Sequence, residues 1–369
     1  MFCKIICTLQ ALTYPYLIFT MITRILLLSI LICGPGSWAR PPNDGPSFLS
    51  LDDPNLPRDY KFQGEYIGDK SGVQVISLSD GKFHAVLYDG GLPGAGWDGK
   101  SKCLLDGNLE SGRVIFKSST VPKKYLADDP RIFSATQNFP PHGQREAKAT
   151  LSSAGKFVLH TKTQPRTTLQ KVIRKSSTLG KKAPENALVL FDGTGNTSFI
   201  GGRVDEKTGF LHTDGRDILT KLKFENYQMH LEFMLPYRPT IRGQHRGNSG
   251  FYQVDLYEMQ ILDSFGLDGL HFDCGGIYSQ KAPMTNACFP PLSWQTYDVE
   301  FWSAKMKDGR KIKNARLTAK LNGILIHENY EFPSKTGGSR SENEGTPGPI
   351  KLQGHANPLQ FRNIWIIEK

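Results

Sequence analysis

Apolar and polar residues alternate along many short segments of this chain, as they do in β-strands whose two faces meet different environments. The alternation is clearest over residues 229–235, 250–254, 257–262, 315–321 and 361–367. Gly, Asp, Asn and Pro separate these segments, as expected for turns. No window of twelve or more residues follows a helical period. The pattern therefore predicts an all-β protein.

The predicted strands fall into two groups, which agrees with a prior of roughly two domains for a chain of 369 residues. Residues 40–164 predict a small β domain, in which 73–78 and 83–88 form a hairpin around a Ser-Asp-Gly-Lys turn. Residues 185–369 predict a β-sandwich or jelly roll. Residues 165–184 are interpreted as a basic linker between the two domains.

The positive charge of the chain is concentrated in one stretch. The formal net charge is +10, and residues 140–183 hold ten Lys and Arg against one Asp or Glu. The regions on either side are close to neutral. A nucleic-acid-binding domain carries a basic face on its folded unit, so no nucleic-acid partner is predicted. The stretch is interpreted as a solvated tether or last strand, with binding to an anionic surface as the alternative.

The N-terminal residues have the pattern of a secretory signal peptide. The apolar run 25–33 follows Arg24, is too short to span a bilayer, and precedes the small-x-small pattern of residues 37–39. Residues 1–39 are therefore predicted to be a signal peptide, with Met21 as an alternative start. We expect export to the periplasm or the extracellular space, with no membrane span after cleavage.

The cysteines give one candidate disulfide. Three of the six lie in the predicted signal segment, which leaves Cys103, Cys274 and Cys288. In an oxidising compartment Cys274 and Cys288 could close a loop of about 15 residues, which would contribute about 3 kcal/mol. No His lies near them at ligand spacing, so a structural zinc site is not expected.

Several predicted strands have a polar face that combines a carboxylate, an imidazole and amides. Glu258 and Gln260 share one face of their strand, and Gln353 and His355 share one face of another. Gln253 is assigned to the same kind of face in a third strand. A polar face is ordinarily the solvated side of a sheet, but this combination suits the hydroxyl groups of a carbohydrate.

The second domain resembles a known family through a series of motifs in order. The motifs are Leu190-Phe-Asp-Gly-Thr, Arg246-Gly-Asn-Ser-Gly-Phe-Tyr, Tyr257-Glu-Met-Gln-Ile-Leu-Asp-Ser, Gly275-Gly-Ile-Tyr-Ser-Gln-Lys-Ala-Pro, Trp294-Gln-Thr-Tyr-Asp-Val, Leu321-Asn-Gly-Ile-Leu-Ile-His, Gly348-Pro-Ile-Lys-Leu-Gln-Gly-His-Ala-Asn-Pro and Phe361-Arg-Asn-Ile-Trp. Together they resemble the bacterial 3-keto-disaccharide hydrolase domain family. The resemblance implies a concanavalin-like jelly roll, and the first domain looks like one that some planctomycete-type relatives carry.

The resemblance also implies a substrate, a 3-keto-glucoside or 3-keto-disaccharide. A ketone at carbon 3 acidifies the proton on carbon 2, so a base can remove it and an acid can protonate the leaving group. Glu258 or His355 would be the base and the other the acid. The candidates for contacts to the enolate and hydroxyl groups are Asn248, Gln253, Gln260, Tyr278, Gln353 and Arg362.

Three alternatives stay open at the level of sequence. A divalent cation could serve as the electrophile, with Asp263, Glu258 and His355 as ligands. The domain could instead be a non-catalytic carbohydrate-binding module, or an ordinary glycosidase with two carboxylates. The chain also departs from the family, because Gly354 stands before His355 where relatives usually have an acidic residue.

Overall fold

The computed structural model describes residues 45–68, 70–120, 135–162, 166–195 and 198–369. These residues belong to one compact unit, Asp44–Lys369. The predicted signal peptide at residues 1–39 lies outside the described residues. No helix in the described ranges has the length and apolar character needed to cross a membrane. The fold is all-β, as predicted, with two short 3-10 helices at Arg58–Phe62 and Gly243–His245.

The first half of the unit is a closed barrel of eight antiparallel strands, in which each strand pairs with the next and β8 pairs with β1. The strands are β1 (Gly64–Gly68), β2 (Ser71–Ser77), β3 (Lys82–Asp89), β4 (Lys102–Glu110), β5 (Arg113–Ser118), β6 (Ala147–Ser152), β7 (Lys156–Thr161) and β8 (Thr167–Val172).

Aromatic side chains fill the barrel. Phe62, Tyr66, Phe83, Phe116 and Phe157 are fully buried among smaller aliphatic residues. The predicted hairpin is present as β2 and β3, and its turn residues have positive φ angles. The inward-facing positions of a small barrel are filled in this way, so the interior is a packed core.

The last barrel strand lies inside the segment that the sequence predicts to be a linker. Leu169 in β8 is fully buried, and Val172 pairs with Glu65 of β1. The polar and basic composition of 165–184 concealed this strand, because only one of its side chains enters the core. The stretch after β8 then runs across the second half of the unit.

That second half is a β-sandwich, as predicted. A five-stranded sheet has the order β10, β13, β22, β15, β16, and a larger sheet has the order β11, β12, β23, β14, β17, β20, β21, with β9 paired to β23. The strands are β9 (Leu188–Phe191), β10 (Phe199–Ile200), β11 (Arg203–Val204), β12 (Leu211–His212), β13 (Ile218–Thr220), β14 (Tyr227–Met234), β15 (Ser249–Gln253), β16 (Tyr257–Ile261), β17 (Trp294–Trp302), β18 (Lys305–Lys307), β19 (Arg310–Lys313), β20 (Arg316–Leu321), β21 (Ile324–Glu331), β22 (Lys351–Leu352) and β23 (Gln360–Glu368).

A buried ion cluster attaches the connecting segment to the larger sheet. His230 is fully buried and contacts Asp298 through Nδ1 at 2.9 Å and Glu232 through Nε2 at 3.4 Å. Thr178 donates a hydrogen bond to Asp298 at 2.6 Å, and the amide of Gly180 donates one to Glu232 at 2.6 Å. The two carboxylates therefore hold both the imidazole and the connecting segment.

The barrel and the sandwich are joined by charged and close apolar contacts. Arg174 pairs with Glu65 of the barrel at 2.5 Å, and its guanidinium lies 5.0 Å from the ring centre of Phe289 in the sandwich. Lys102 of the barrel pairs with Asp268 in the loop after β16. A Cβ atom at Gly266 in the same loop would lie 2.5 Å from Cδ1 of Ile76. This loop of the sandwich therefore contacts the barrel directly.

The candidate disulfide is not formed. Cys103, Cys274 and Cys288 are free and buried. Burial and the neighbouring Cys274 raise the pKa of the Cys288 thiol. The thiol of Cys274 lies 3.4 Å from the hydroxyl of Tyr297. Both sulfurs are thus packed as thiols within the sandwich core, where sequence spacing alone suggested a bridge.

Candidate functional site

One pocket of about 210 Å³ brings together most of the polar residues that the sequence singles out. It lies on the five-stranded sheet, on the face that points away from the sandwich core. The lining residues are Gln244, Asn248, Tyr252, Glu258, Gln260, Tyr278, Gly337, Gly338, Gln353 and His355.

The register of two neighbouring strands produces this polar face. Tyr252 of β15 pairs with Glu258 of β16, and Gly250 pairs with Gln260. The residue between each pair, such as Met259, points into the sandwich core. Because side chains alternate along a strand, Tyr252, Glu258 and Gln260 reach the same side.

Glu258 is the buried carboxylate of the pocket, with 4% of its surface exposed. Burial raises its pKa to about 7, although the hydrogen bond from Tyr252 and the charge of Lys351 act in the opposite direction. The hydroxyl of Tyr252 donates to Oε2 of Glu258 at 2.8 Å. Gly250 leaves the room that this carboxylate needs, since a Cβ there would lie 2.5 Å from Oε1. A carboxyl group with this pKa can both accept and donate a proton near neutral pH.

Contacts to the ring and to the hydroxyl fix the position of Tyr252. The ammonium of Lys351 lies 3.8 Å from the centre of its ring, and Lys351 also pairs with Asp255 at 2.6 Å. The carbonyl of Gly337 accepts a second contact from the Tyr252 hydroxyl at 3.1 Å. A Cβ on Gly338 would lie 2.5 Å from that hydroxyl. The tyrosine therefore has a fixed position beside Glu258.

Three amide side chains form a network in the pocket wall. The side-chain nitrogen of Asn248 donates to Oε1 of Gln244 at 2.8 Å, and Nε2 of Gln260 donates to the same oxygen at 3.2 Å. Within the described residues, Oδ1 of Asn248 and Oε1 of Gln260 are buried without a hydrogen-bond partner. Buried polar atoms are normally satisfied, so these two oxygens are available for hydroxyl groups of a bound molecule.

His355 lies at the mouth of the pocket and is half-buried. Its ring centre is 6.3 Å from that of His245. The side chain of Asn357 donates to the carbonyl of His355 at 2.7 Å and accepts from Arg238 and from the amide of Gly247. These bonds fix the backbone that carries the imidazole.

Gly354, the departure from the family, has a structural reason. A Cβ at this position would lie 2.2–2.4 Å from backbone atoms of Arg216, so the space for an acidic side chain is filled. The carboxylate of Asp217 instead accepts a hydrogen bond from the amide of Gly354 at 2.9 Å. Asp217 also contributes to raising the pKa of Glu258. A carboxylate therefore lies beside the residue that precedes His355, but it belongs to Asp217, directly before β13.

Three residues that the sequence assigned to the site lie elsewhere. Gln253 is fully buried on the core side of β15, where it accepts a hydrogen bond from Tyr227 at 2.9 Å. Arg362 is on the other sheet, where it bonds Glu232 at 2.7 Å. Asp263 is buried against Arg246, whose Nε lies 2.7 Å from Oδ2. Each is engaged in a structural contact, so these three assignments were wrong.

The proposed cation ligands are likewise not assembled. Among the described residues, no three His, Cys, Asp or Glu side chains are placed together so that they could hold a metal ion. Asp263 is neutralised by Arg246, which leaves only Glu258 and His355 of the expected set in the pocket.

Sequence reasoning missed Gln244, Tyr252, Asp217 and Lys351. The strand alternation that placed Glu258 could have found Tyr252, because the two residues are paired across β15 and β16. Gln244 lies in a 3-10 helix, and Lys351 acts from beneath the tyrosine ring. These two have no local signal in the sequence.

Comparison with known proteins assigns the sandwich to a family. Residues 186–367 match the 3-keto-alpha-glucoside-1,2-lyase-like domain. The chain matches no curated protein. A crystal structure of a "putative glycosyl hydrolase" from Parabacteroides distasonis ATCC 8503 shares 32% identity, with 51% of this chain and 85% of that chain covered and a TM-score of 0.47. A second such structure from that organism shares 20% identity, covers 50% of this chain and 94% of its own, and has a TM-score of 0.36.

The chain belongs, through residues 186–367, to the 3-keto-disaccharide hydrolase domain family that its motifs resemble. It is thus a member of a family of glycoside-acting enzymes, and its sandwich carries a pocket suited to a carbohydrate.

Proposed function

We propose that the pocket cleaves glycosidic bonds of 3-keto-glycosides by elimination followed by hydration. A carboxyl group whose pKa is about 7 shares a pocket with an imidazole and with two buried amide oxygens that have no partner among the described residues. A binding module needs no such carboxylate–imidazole pair.

Glu258 is the base in this proposal. The ketone at carbon 3 of the sugar acidifies the proton on carbon 2, and the ionised carboxylate removes it to give an enolate. Oxyanion stabilisation needs a hydrogen-bond donor close to the enolate oxygen. The hydroxyl of Tyr278 and the side-chain amide of Gln353 line the same pocket and are the candidates for this role.

His355 is the acid. As the enolate collapses to a double bond between carbons 1 and 2, the bond from carbon 1 to the aglycone oxygen breaks, and the imidazolium gives that oxygen its proton. Water then adds across the double bond, with hydroxide to carbon 1 and the proton to carbon 2. The net reaction is hydrolysis, and both catalytic groups return to their starting protonation states.

Asn248 and Gln260 account for sugar recognition. Their unpartnered side-chain oxygens accept hydrogen bonds, and sugar hydroxyl groups donate them. Gln244 orients both amides, so it positions the acceptors without having to touch the sugar.

The test uses a 3-keto-glucoside with a chromogenic leaving group and the unoxidised parent glucoside, each with and without chelator. We expect release from the keto substrate only, reduced about 10²–10⁴-fold in Glu258→Gln and in His355→Ala. Glu328→Gln and His142→Ala change the same residue types at exposed positions outside the pocket and serve as controls. Release from the parent glucoside would indicate an ordinary glycosidase, and glycan binding without release a binding module.

We also propose that the protein is exported. The support is the pattern of residues 21–39, with a basic residue, a short apolar run and small residues at the end. Mass determination of the mature N-terminus after expression in a Gram-negative host would test this, and an uncleaved chain in the cytoplasm would contradict it.

A further inference from the structure

A second concave site lies on the barrel, outside the pocket described above. It is a groove of about 270 Å³ on the outer surface of β5, β6 and β7, lined chiefly by Arg113, Thr150, Ser152, Lys156, His160 and Arg166. We call it the basic groove. Three of these side chains are Lys or Arg, one is His, and two are hydroxyls.

The strand pattern explains why the charges are on one face. Alternate residues such as Val114, Leu151 and Phe157 fill the barrel, so the residues between them point to solvent. Lys148 lies beside the groove because it pairs with Lys117 on one side and with His160 on the other. Strands β5 to β8 contain no acidic residue. The basic stretch, which the sequence indicated to be a solvated tether or last strand, is thus partly a face of a folded domain.

The basic side chains of the basic groove have no charged partner among the described residues. Within the described ranges, Arg113, Lys156, His160 and Arg166 make no ion pair and no side-chain hydrogen bond, and all four are exposed. Lys162 near the groove differs, since it pairs with Glu146 at 2.5 Å. Elsewhere in the unit, cations such as Arg145 and Arg174 are paired with carboxylates. Several unpaired like charges around one concavity attract an anion.

The basic groove is also free of the contacts between the two halves. The described contacts of the barrel with the sandwich include Ile76, Leu78, Gly94 and Lys102. The segment between β5 and β6 also takes part, because the amide of Gln137 donates to Asp268 at 3.1 Å. Strands β5 to β7 are on a different part of the barrel wall. Among the described residues, the sandwich does not cover the basic groove, since its Arg, Lys and His side chains are all exposed.

We propose that the basic groove binds an anionic polysaccharide through its sulfate or carboxylate groups. Arg and Lys side chains bind such groups by charge-assisted hydrogen bonds, and Thr150 and Ser152 can bind sugar hydroxyls. No Phe, Tyr or Trp among the described residues lines the groove, whereas single-stranded nucleic acids are bound by stacking on such side chains. Its one apolar lining residue, Val158, is too little for insertion into a membrane. The choice of a glycan rests on the proposed function, but the groove itself does not.

The test measures binding of the purified full chain to dextran sulfate, polygalacturonate and neutral dextran by isothermal titration calorimetry. The groove variant is Arg113→Gln with Lys156→Gln. The matched control is Lys305→Gln with Lys307→Gln, which removes the same charge from exposed residues of β18. We expect binding to at least one anionic polymer and none to dextran, at least tenfold weakening in the groove variant, and less than twofold weakening in the control. The two anionic polymers distinguish sulfate from carboxylate recognition.

Equal weakening in both variants would overturn the proposal, because it would show an effect of net charge alone. So would tighter binding of duplex DNA or of vesicles containing anionic lipid, weakened by the same groove substitutions. Glu258→Gln is measured alongside, and unchanged binding by this variant separates the groove from the pocket. Failure of the cleavage assay therefore leaves this test intact, and failure here leaves the cleavage assay intact.

Discussion

The hydroxyl of Tyr252 donates a hydrogen bond of 2.8 Å to the carboxylate of Glu258, which is its partner across two neighbouring strands. The bond favours the ionised carboxylate, whereas burial favours the protonated form. The balance between these two effects places the pKa of Glu258 at about 7. The hydroxyl of Tyr252 thus helps to set the pKa of the carboxylate in the pocket.

Replacement of that phenol should shift the pH dependence of catalysis. In Tyr252→Phe the carboxylate loses its donor, so the pKa of Glu258 should rise by about 1–2 units, as expected for a hydrogen bond to a charged group. The limb of kcat/KM assigned to Glu258 should move to higher pH by that amount. Tyr66→Phe removes a buried hydroxyl inside the barrel and is the control. An unmoved limb in Tyr252→Phe would contradict the role given to this bond.

The buried carboxylate should also cost stability at high pH. Because the pKa of Glu258 is raised when the protein folds, its favourable contribution is complete below about pH 4.5 and is lost as the pH rises to about 7. Relative to the wild type, Glu258→Gln should become more stable over this range, by on the order of 3 kcal/mol. Urea unfolding at pH 4.5, 6 and 8 measures the difference. Glu368→Gln, at an exposed position, should show no such trend.

The cluster around His230 should change stability with pH in the same direction, through a different group and over a higher pH range. Burial opposes the charge on His230, but the hydrogen bonds with Asp298 and Glu232 outweigh it, and the pKa of the imidazole is raised. Its stabilising contribution is therefore complete below pH 6.5 and is lost as the pH rises through the raised value. His230→Gln should lower the free energy of unfolding by about 3 kcal/mol at pH 6 and by less at pH 9.

His212→Gln provides the comparison for that experiment. Burial lowers the pKa of His212, so any contribution of its charge has the reverse sign, and this variant should be relatively more stable at pH 6 than at pH 9. The same trend in both variants would show that the His230 cluster is not what responds to pH.

Restoring the acidic residue of the family should not help this protein. In Gly354→Asp the new Cβ meets the backbone of Arg216, so we expect a loss of about 1–3 kcal/mol in stability from overpacking and no gain in activity. Gly337→Ala is the matched control for stability, since nothing lies within 4 Å of its Cβ position. A more active and equally stable Gly354→Asp would show that the loop adapts and that the missing carboxylate was limiting.

Strand alternation predicted much of the fold and part of the pocket. Glu258 and Gln260 were placed correctly relative to each other because their strand is regular. Gln253 was assigned to the wrong face because Val254 was taken as its inward neighbour in the strand. The chain in fact leaves the strand there, since Val254 and Asp255 both have positive φ angles.

The alternation of apolar and polar residues along a strand could not predict contacts between distant segments. Alternation alone assigns Arg362 to a polar strand face. The pairing of its strand with β14 places that face on the larger sheet, beside Glu232. Strand β8, which closes the barrel, was not predicted because its residues are mostly polar and only its leucine is buried. In both cases the deciding partner lies more than a hundred residues away.

The loop after β16 limits how far the barrel and the sandwich can change independently. The loop after β16 carries Asp268 and Gly266 against the barrel, and it continues through Gly275 to Tyr278 in the pocket wall. Lys102 and Ile76 are both buried in this contact, so a substitution at either would move a loop that also reaches the pocket wall. A homologous sandwich grafted onto this barrel would therefore need a loop that matches the barrel at these positions.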